Sequence, residues 1–470
     1  MKIILALLCI HVLVCSAGTE TPASDATSPA AEPPSVARLA YEAHAEAPVS
    51  PDLIGTAGIT TSFTPLQPRI PGTGPCATIF GYLPYWESAA NVRWQLLTHV
   101  ACFSVGANPN GTISNPHNWP WTAVINTAHA NGVKVILVAT QFDPNSILTL
   151  ITTPAYKSAF FANIKAQILA GNADGVNIDF EGSGPWRSHI NGFMAELTAY
   201  LHAEIPGCEV TFAGPAVNWS NSWDLEGLAA SCDGIFIMGY AFSGSGSANS
   251  GPQAPLTGGS INITNTVTVQ YGAVTQKHPE KLILGVPYYG GHWKTTTANP
   301  RSAVVSYVGS TRFRDTYEES MLYGRLWDSV SQTPWYRWHD GTDWHQVWAD
   351  DAESLGLKYD LARQHRLAGV GIWALNYDGA RPELWDELDR QFRTGCPRPA
   401  DLDHDGDVDM EDYGLFQRCL SGRNVVQASP ACAGTHLDLD TDVDENDLAL
   451  FLQCFTGPGQ KAAPGCTTVP

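Results

Sequence analysis

Basic side chains are scarce in this 470-residue chain. Lys and Arg number 26 against 46 Asp and Glu, which gives a formal net charge of −20. A strongly negative protein repels polyanions, so the composition argues against nucleic acid or an anionic membrane surface as a partner. Long apolar runs are also missing after the N-terminal segment. No run in the rest of the sequence approaches the roughly 18 residues of a membrane-spanning helix. We therefore expect no membrane span.

The one extended apolar run, Ile3–Val14, follows Lys2 and precedes the small residues 15–18. This order is typical of a secretory signal peptide, so residues 1–17 are predicted to be removed after Ala17. The mature protein is then expected outside the cytoplasm, either free, at the cell surface or in a periplasm. Two cysteines would be lost with the signal, which leaves nine of the 11. Several disulfides and one free thiol are therefore expected.

Composition divides the remaining chain into three parts. Residues 18–75 are rich in Ala, Pro, Ser and Thr, which predicts a flexible or partly extended linker with a short ordered piece near Leu53. Strand and helix patterns alternate through residues 76–395. From Cys396 onward there are 13 Asp and Glu against 4 Lys and Arg. Residues 396–470 are therefore predicted to form a separate acidic module.

Eight strand patterns, separated mostly by helical patterns, fill the central part. They cover residues 78–85, 97–105, 133–140, 174–181, 208–215, 234–240, 282–289 and 369–375. Helices are predicted at 119–131, 156–170, 188–204, 262–275, 351–365 and 381–392. Alternation of this kind favours an α/β fold, a (β/α)8 barrel whose active site lies at the C-terminal ends of the strands.

The strand pattern at residues 174–181 alternates polar and apolar residues. As a strand it places Asn177, Asp179 and Glu181 on one face and apolar residues on the other. The helical patterns on either side indicate a parallel strand that is buried on both faces. Carboxyl groups inside such a sheet are costly unless they are hydrogen-bonded and functional. The run therefore predicts an active site that ends at Glu181, against the alternative of a solvated edge strand.

The same run, Asp174–Glu181, resembles the DxxDxDxE signature of glycoside hydrolase family 18, the chitinase family. Further family motifs follow in order: Gly81–Trp86 and Thr98–Val105 resemble the first two strands, Met238–Tyr240 the sixth, Gly285–Gly290 the seventh and Gly371–Leu375 the eighth. The asparagine at position 177 is closer to the branch of peptidoglycan and spore-cortex hydrolases. The resemblance covers residues 80–392. It implies a hydrolase of β-1,4 bonds at N-acetylglucosamine residues of chitin or peptidoglycan.

The resemblance also implies a role for individual residues. Glu181 would be the general acid/base, and Asp179 would orient the 2-acetamido group that attacks the anomeric carbon with retention. Tyr240 would hydrogen-bond the acetamido oxygen, Asn177 would hold Asp179, and Asp174 would support the start of the strand. Substrate contacts are expected from Tyr82, Phe103, Met238, Tyr289 and Trp373, although barrel packing is an alternative for most of them. No cofactor is expected for catalysis.

Two positions depart from the family pattern. Asn177 replaces an aspartate, and an amide can hydrogen-bond Asp179 but cannot share a proton with it. Ala241 follows Tyr240 where many relatives carry aspartate, which removes one contact to the sugar. A carbohydrate-binding protein with weak or no turnover is therefore the alternative to a hydrolase. The intact Glu181 favours the hydrolase.

Residues 291–348 are too numerous for a simple loop, and they predict a hairpin-rich insertion between the seventh and eighth strands. The insertion carries many aromatic residues: Trp327, Trp335, Tyr336, Trp338, Trp344 and Trp348. Two interpretations stay open. The aromatic side chains could form a small core of their own, or they could form a wall on which sugar rings stack.

The tail contains an imperfect repeat. The first run has an acidic residue at nearly every second position and Gly406 at the turn, which is the ligand spacing of a Ca²⁺ loop. Its candidate ligands are Asp401, Asp403, Asp405, Asp407, Asp409 and Asp412. The second run, 438–447, is interpreted as two residues shorter, so its affinity for Ca²⁺ is left open. The tail resembles a type I dockerin, which implies a cohesin-type partner; a Ca²⁺-stabilised cap is the alternative.

Cysteine positions in the tail are symmetric. Cys396 and Cys432 precede the two acidic runs, whereas Cys419 and Cys454 end the helices that follow them. This layout predicts disulfides within the module, with Cys466 as a further candidate. In the barrel, Cys208 and Cys232 are predicted to pair with each other because their strands are neighbours.

Overall fold

A computed structural model describes residues 36–54, 62–69, 74–394, 400–403, 407–438 and 440–460. The predicted signal peptide lies outside these ranges, as do Cys396, Asp405 and Cys466. Strands are β1 78–84, β2 99–107, β3 113–114, β4 134–141, β5 175–180, β6 209–215, β7 234–238, β8 282–287, β9 289–295, β10 304–312, β11 326–328, β12 333–339, β13 344–349 and β14 369–373. Helices are α1 36–43, α2 51–54, α3 122–130, α4 144–152, α5 154–170, α6 190–204, α7 225–231, α8 263–265, α9 272–277, α10 313–323, α11 352–364, α12 383–389, α13 410–419 and α14 445–454.

Eight parallel strands form a closed barrel. Their order is β1, β2, β4, β5, β6, β7, β8 and β14, and β14 pairs with β1 to complete the ring. Every residue of β5, β7, β8 and β14 is buried, as expected for strands that have side chains inside the barrel and helices outside. The predicted (β/α)8 fold and its eight strands are confirmed.

Two barrel helices, α4 and α7, escaped the sequence prediction. Both begin at an aspartate whose side chain accepts a hydrogen bond from a backbone N–H of the first turn: Asp143 from Ser146 and Asp224 from Gly227. An aspartate in this position stabilises a helix start by about 1 kcal/mol. Both helices are short, so their apolar periodicity alone is a weak signal. None of the helices in the described ranges is long and apolar enough to cross a membrane.

The predicted insertion lies between β8 and β14. It forms a five-stranded antiparallel sheet in the order β10, β9, β13, β12, β11. Trp335 and Trp348 stack with ring centroids 5.1 Å apart, and both pack with Trp293 in a cluster separate from the barrel core. The interpretation as a small core is therefore confirmed for these residues. Trp327, Trp338 and Trp344 remain partly exposed.

Part of the predicted linker is ordered structure, so that part of the prediction is wrong. Residues 36–54 form α1 and α2, and Ala37 and Leu53 are buried in the barrel core. Residues 62–69 lie alongside α3. The N–H of Thr64 donates to the Asn126 side chain, and the N–H of Gln67 donates to the carbonyl oxygen of His129. In α1 the apolar residues Val36, Ala37, Ala40 and Tyr41 recur at helical spacing and pack on the barrel core, but this signal is only two turns long. Residues 62–69 are held by isolated backbone contacts, which leave no periodic signal.

The tail contains two equivalent loop–helix repeats with their own apolar core. The side chain of Asp412 accepts hydrogen bonds from the N–H groups of Leu402, Asp403 and Asp409. Asp447 accepts the same three bonds from Leu437, Asp438 and Asp444. These bonds fix the register of each loop on its final carboxylate.

The two loops consequently have equal length, and the prediction that the second is two residues shorter is wrong. In the corrected register Asp442 corresponds to Asp407, and Thr441 stands where the first loop has Gly406. The repeats also dock reciprocally. Val408 accepts a backbone hydrogen bond from Thr456, and Val443 accepts the matching one from Ser421.

Cysteine pairing agrees with the sequence prediction in the tail and differs in the barrel. Cys419 and Cys432 form a disulfide with each other. Cys76 and Cys454 each take part in a disulfide as well. Within the described ranges Cys102, Cys208 and Cys232 are free and buried. The predicted Cys208–Cys232 pair is therefore wrong, and three thiols rather than one are free. The Sγ of Cys232 instead contacts the carbonyl oxygen atoms of Leu228 and Gly234.

Candidate active site

Asp179 and Glu181 lie at the C-terminal end of β5 and are hydrogen-bonded to each other. Asp179 is 1% exposed and Glu181 is 6% exposed. Gly182 follows with a φ of +120°, a conformation that L side chains rarely adopt, so the strand ends directly after the carboxyl group. The predicted acidic pair is thus held at the end of the barrel where active sites lie.

Burial dominates the electrostatics of this pair. It raises the pKa of Asp179 above its usual value, and the hydrogen bond to Glu181 opposes that shift. Two neighbouring carboxylates that are both removed from water cannot easily be ionised together. Burial therefore favours one proton held by the pair, and a carboxyl group that keeps its proton is able to act as an acid.

Asn177 lies deeper in the barrel and is fully buried. Its Oδ1 accepts a hydrogen bond of 2.7 Å from the Tyr82 hydroxyl, and its Nδ2 donates one of 2.9 Å to Thr211. The amide therefore does not bond to Asp179, contrary to the sequence prediction. β1 and β6 bring the Tyr82 and Thr211 side chains within hydrogen-bonding distance of the amide, which is oriented by these two partners.

Asp174 lies before β5, at the opposite end of the barrel from Glu181. Its Oδ2 accepts hydrogen bonds from His129 Nε2 at 2.9 Å and from the N–H of Val135 at 2.7 Å. Seven residues of strand separate Asp174 from Glu181, which is roughly 20 Å. Asp174 is thus a structural residue that joins α3, β4 and β5, which agrees with the predicted role of supporting the start of the strand, and it takes no part in the carboxyl pair.

The aromatic residues predicted to bind substrate form two groups of contacting rings. In the first, the Trp373 ring lies 5.5 Å from Tyr82 and 4.9 Å from Phe103 between ring centroids. In the second, Tyr240 and Tyr289 meet edge to face at 6.1 Å. Burial raises the pKa of Tyr240 well above its usual value, and the charges of Asp179 and Glu181 contribute in the same direction. Tyr240 is therefore close to the carboxyl pair and stays protonated.

Met238 and Ala241 flank Tyr240. Met238 ends β7 and is 9% exposed, so it belongs to the rim of the site. Ala241 has a φ of +63°, a left-handed conformation that alanine rarely adopts and asparagine or aspartate tolerates better. The backbone there still has the shape that suits an aspartate, although the chain carries alanine.

Sequence reasoning missed two residues of the site. Thr211 is the direct neighbour of Asn177 in the β5–β6 register, and the alternating polar residues of β6 were the signal that could have indicated it. Trp86 follows β1 and lies 6.0 Å from Phe103 between ring centroids. In the sequence it stands out only as part of a family motif.

Comparison with known proteins agrees with this geometry. The model of the family described as Glycosyl hydrolases family 18 matches residues 78–378, which is more than half of the chain. The chain belongs to glycosyl hydrolases family 18. The matched residues begin at β1 and extend past β14, so they contain all eight barrel strands and the insertion.

Family 18 relatives of this chain come from animals, plants and bacteria. Human di-N-acetylchitobiase is 27% identical over 304 residues, which are 56% of this chain and 74% of that protein. The cortical fragment-lytic enzyme of Bacillus subtilis is 24% identical over 324 residues, 66% of this chain and 71% of that enzyme. A Cycas revoluta GH18 chitinase, solved in complex with (GlcNAc)3, superposes with a TM-score of 0.60 at 19% identity, covering 67% and 99% of the two chains. At that identity the superposition shows the shared fold.

The acidic loops of the tail form a separate candidate site. One carboxylate oxygen from each of Asp401, Asp403 and Asp412 lies within 4.8 Å of the others, and the same holds for Asp407, Asp409 and Asp412. The second loop brings together Asp438, Asp444 and Asp447 in the same way. Grouped carboxylate oxygens fit a hard cation such as Ca²⁺. Asp405, a sixth predicted ligand, lies outside the described residues.

Proposed function

We propose that this family 18 protein is a retaining glycosidase that cleaves β-1,4 bonds at N-acetylglucosamine residues of chitin or peptidoglycan. The observation that carries the proposal is the buried, hydrogen-bonded pair of Asp179 and Glu181 at the C-terminal end of β5. The names of the relatives support both polymers, since one is a di-N-acetylchitobiase and another is a cortical fragment-lytic enzyme.

The first step of the proposed reaction uses the proton of the acidic pair. Glu181 donates it to the glycosidic oxygen, the bond between that oxygen and the anomeric carbon breaks, and the leaving sugar departs with a free hydroxyl group. The carbonyl oxygen of the substrate's own 2-acetamido group bonds to the anomeric carbon and forms an oxazolinium ion. Asp179, close beside Glu181, stabilises the positive charge on the acetamido nitrogen.

The second step returns the enzyme to its starting state. Water transfers a proton to the Glu181 carboxylate and attacks the anomeric carbon, which opens the oxazolinium ring and restores the acetamido group. Two displacements on the same carbon give net retention of configuration. Tyr240, kept neutral by burial and by the nearby carboxyl groups, donates its hydroxyl hydrogen to the acetamido oxygen.

Product analysis on chitin oligosaccharides and on purified peptidoglycan tests the proposal. Wild type is expected to cleave at least one polymer and to release products with retained β configuration. Glu181→Gln keeps the size and hydrogen-bonding capacity of the side chain but cannot supply the proton. We expect turnover to fall by about 10²–10⁴-fold with oligosaccharide binding preserved.

Two results would contradict the proposal. Equal turnover in wild type and Glu181→Gln would remove the acid from the mechanism. Binding of both saccharides by wild type without cleavage of either would instead favour a carbohydrate-binding protein, and Ala241 would then be the first position to revert to aspartate. A thiazoline analogue of the oxazolinium ion provides an independent check, because only the substrate-assisted route predicts that it inhibits.

For the tail we propose a Ca²⁺ loop–helix module that docks onto a cohesin-type domain. The donor set supports Ca²⁺, since Asp401, Asp403 and Asp412 supply oxygen atoms of one type within 4.8 Å of each other. The duplicated loop and helix support a dockerin-like arrangement. We also propose export through the N-terminal segment, which is consistent with the Cys419–Cys432 disulfide.

A further inference from the structure

Residues 36–54, here called the N-terminal clasp, lie upstream of the 78–378 segment that matches the family. The clasp contains α1 and α2 and packs on the barrel. No role in the proposed reaction follows from the family match for these residues. Their contacts lie at the end of the barrel that carries Asp179 and Glu181.

Three hydrogen bonds to backbone carbonyl groups attach the clasp to the loops after β1 and β4. Ser50 donates its N–H to the carbonyl oxygen of Tyr85 at 2.8 Å, and the Tyr85 hydroxyl donates to the carbonyl oxygen of His44 at 2.5 Å. Arg38 reaches the carbonyl oxygen of Phe142 at 3.3 Å. Tyr85 and Phe142 directly follow their strands, so the clasp crosses the rim at the C-terminal ends of β1 and β4.

Two side chains of the clasp extend the aromatic group of the candidate site. The Tyr41 ring lies 6.2 Å from Phe103, edge to face. The His44 ring stacks on Trp86 with centroids 4.4 Å apart and an interplanar angle of 5°. Phe103 in turn contacts Trp373 at 4.9 Å. A continuous set of ring contacts therefore connects the clasp with the predicted floor of the sugar site.

Phe103 shows why this contact matters for a binding site. Its side chain is fully buried between Tyr41, Trp86, Tyr82 and Trp373. Without Tyr41 one edge of the ring would face solvent, and Phe103 would have room to change its orientation. Ring pairs of this kind contribute about 0.5–1.5 kcal/mol each beyond their buried area, which is enough to hold a side chain in one position.

We propose that Tyr41 and His44 are positioning residues of the saccharide cleft, which act by bracing Phe103 and Trp86. The inference rests on the proposed function, because it assigns these rings to a site that binds N-acetylglucosamine units. It makes the clasp an integral part of the catalytic domain rather than a spacer. A cleft whose aromatic wall is fixed in advance binds sugar rings without having to order the wall first.

Binding of chitotetraose by calorimetry tests the inference on the full-length chain in the Glu181→Gln background, which binds without turnover. Tyr41→Ala and His44→Ala are each expected to weaken binding by about threefold to tenfold. Tyr41→Phe and His44→Phe keep a ring at the same place and are expected to restore affinity to within about twofold. Glu42→Gln is the matched control, since Glu42 lies on the same helix and its side chain bonds only to Arg38.

A melting temperature for each variant separates positioning from simple stabilisation. A lower melting temperature with unchanged affinity would overturn the inference, because the clasp would then only stabilise the barrel. Loss of affinity in Tyr41→Phe as large as in Tyr41→Ala would also contradict it. Failure of the Glu181→Gln parent to bind either chitotetraose or soluble peptidoglycan fragments would instead overturn the proposed function, and the inference would fall with it.

Discussion

Asn177→Asp is the substitution that most directly examines the acidic strand. It restores the aspartate that the family pattern has at this position, on the same face of β5 as Asp179 and two residues away. Tyr82 still has an acceptor for its hydroxyl hydrogen after the change, so the hydrogen bond of 2.7 Å is retained. Only the bond that Asn177 Nδ2 donates to Thr211 is lost. The main effect of the substitution is therefore electrostatic.

The size of the effect follows from the spacing of the strand. Side chains two residues apart are about 6–7 Å apart, and two unit charges at that distance interact with about 2.5 kcal/mol at an effective dielectric constant of 20. That energy corresponds to about two pKa units. The introduced carboxyl group would itself be fully buried and partly protonated, so the expected shift in the pKa of Asp179 is about one to two units.

The sign of the shift is fixed by the added negative charge. An ionised aspartate nearby raises the pKa of Asp179 further and keeps the shared proton on the acidic pair to higher pH. The alkaline limb of kcat/KM reports loss of an essential proton from the free enzyme. In Asn177→Asp this limb should therefore move to higher pH, as measured from oligosaccharide hydrolysis between about pH 4 and pH 10.

Asp174→Asn is the matched control for this experiment. It removes a carboxylate directly before the same strand, at a distance of roughly 20 Å from Glu181, which is more than twice the Debye length at physiological salt. Its pH profile should coincide with that of wild type. The reasoning would be refuted by an Asn177→Asp profile that stays within about 0.3 pH units of wild type, or by equal shifts in both variants.

Three further predictions concern stability and the tail. Tyr82→Phe should lower the free energy of unfolding by about 1–3 kcal/mol, because Asn177 Oδ1 is left as a buried acceptor; an unchanged urea midpoint would argue against it. Burial raises the pKa of Glu209, but contacts with His99 and Lys134 outweigh burial and lower this pKa to about 2. The stabilisation from ionised Glu209 is complete above about pH 4.5 and is lost as pH falls toward 2. In Glu209→Gln the free energy of unfolding should therefore fall by about 2–3 kcal/mol less than in wild type over this pH range. Identical pH dependence in both proteins would contradict this. Chelation of Ca²⁺ should increase hydrogen exchange after Asp401 and leave the barrel unchanged, whereas full protection of the tail in a chelator would exclude a Ca²⁺ loop.

The sequence by itself determined the barrel and its acidic strand. Alternation of polar and apolar residues over 174–181 reflects the two-residue period of a strand, so it identified Asp179 and Glu181 as neighbours on one face. The eight strand patterns also followed from local regularity. Spacing of carboxylates around Gly406 is equally local, and it predicted a loop whose described aspartates do come together.

Only the tertiary structure decided which partners those residues meet. Asn177 bonds to Tyr82 and Thr211 from other strands rather than to Asp179, and Asp174 meets His129 at the far end of the barrel. The clasp packs on the barrel through α1, whose apolar spacing over residues 36–41 covers only two turns and is too short a signal to stand out in a segment rich in Ala, Pro, Ser and Thr. Closure of a barrel brings residues from distant strands within a few ångströms of each other, and sequence spacing contains no measure of that distance.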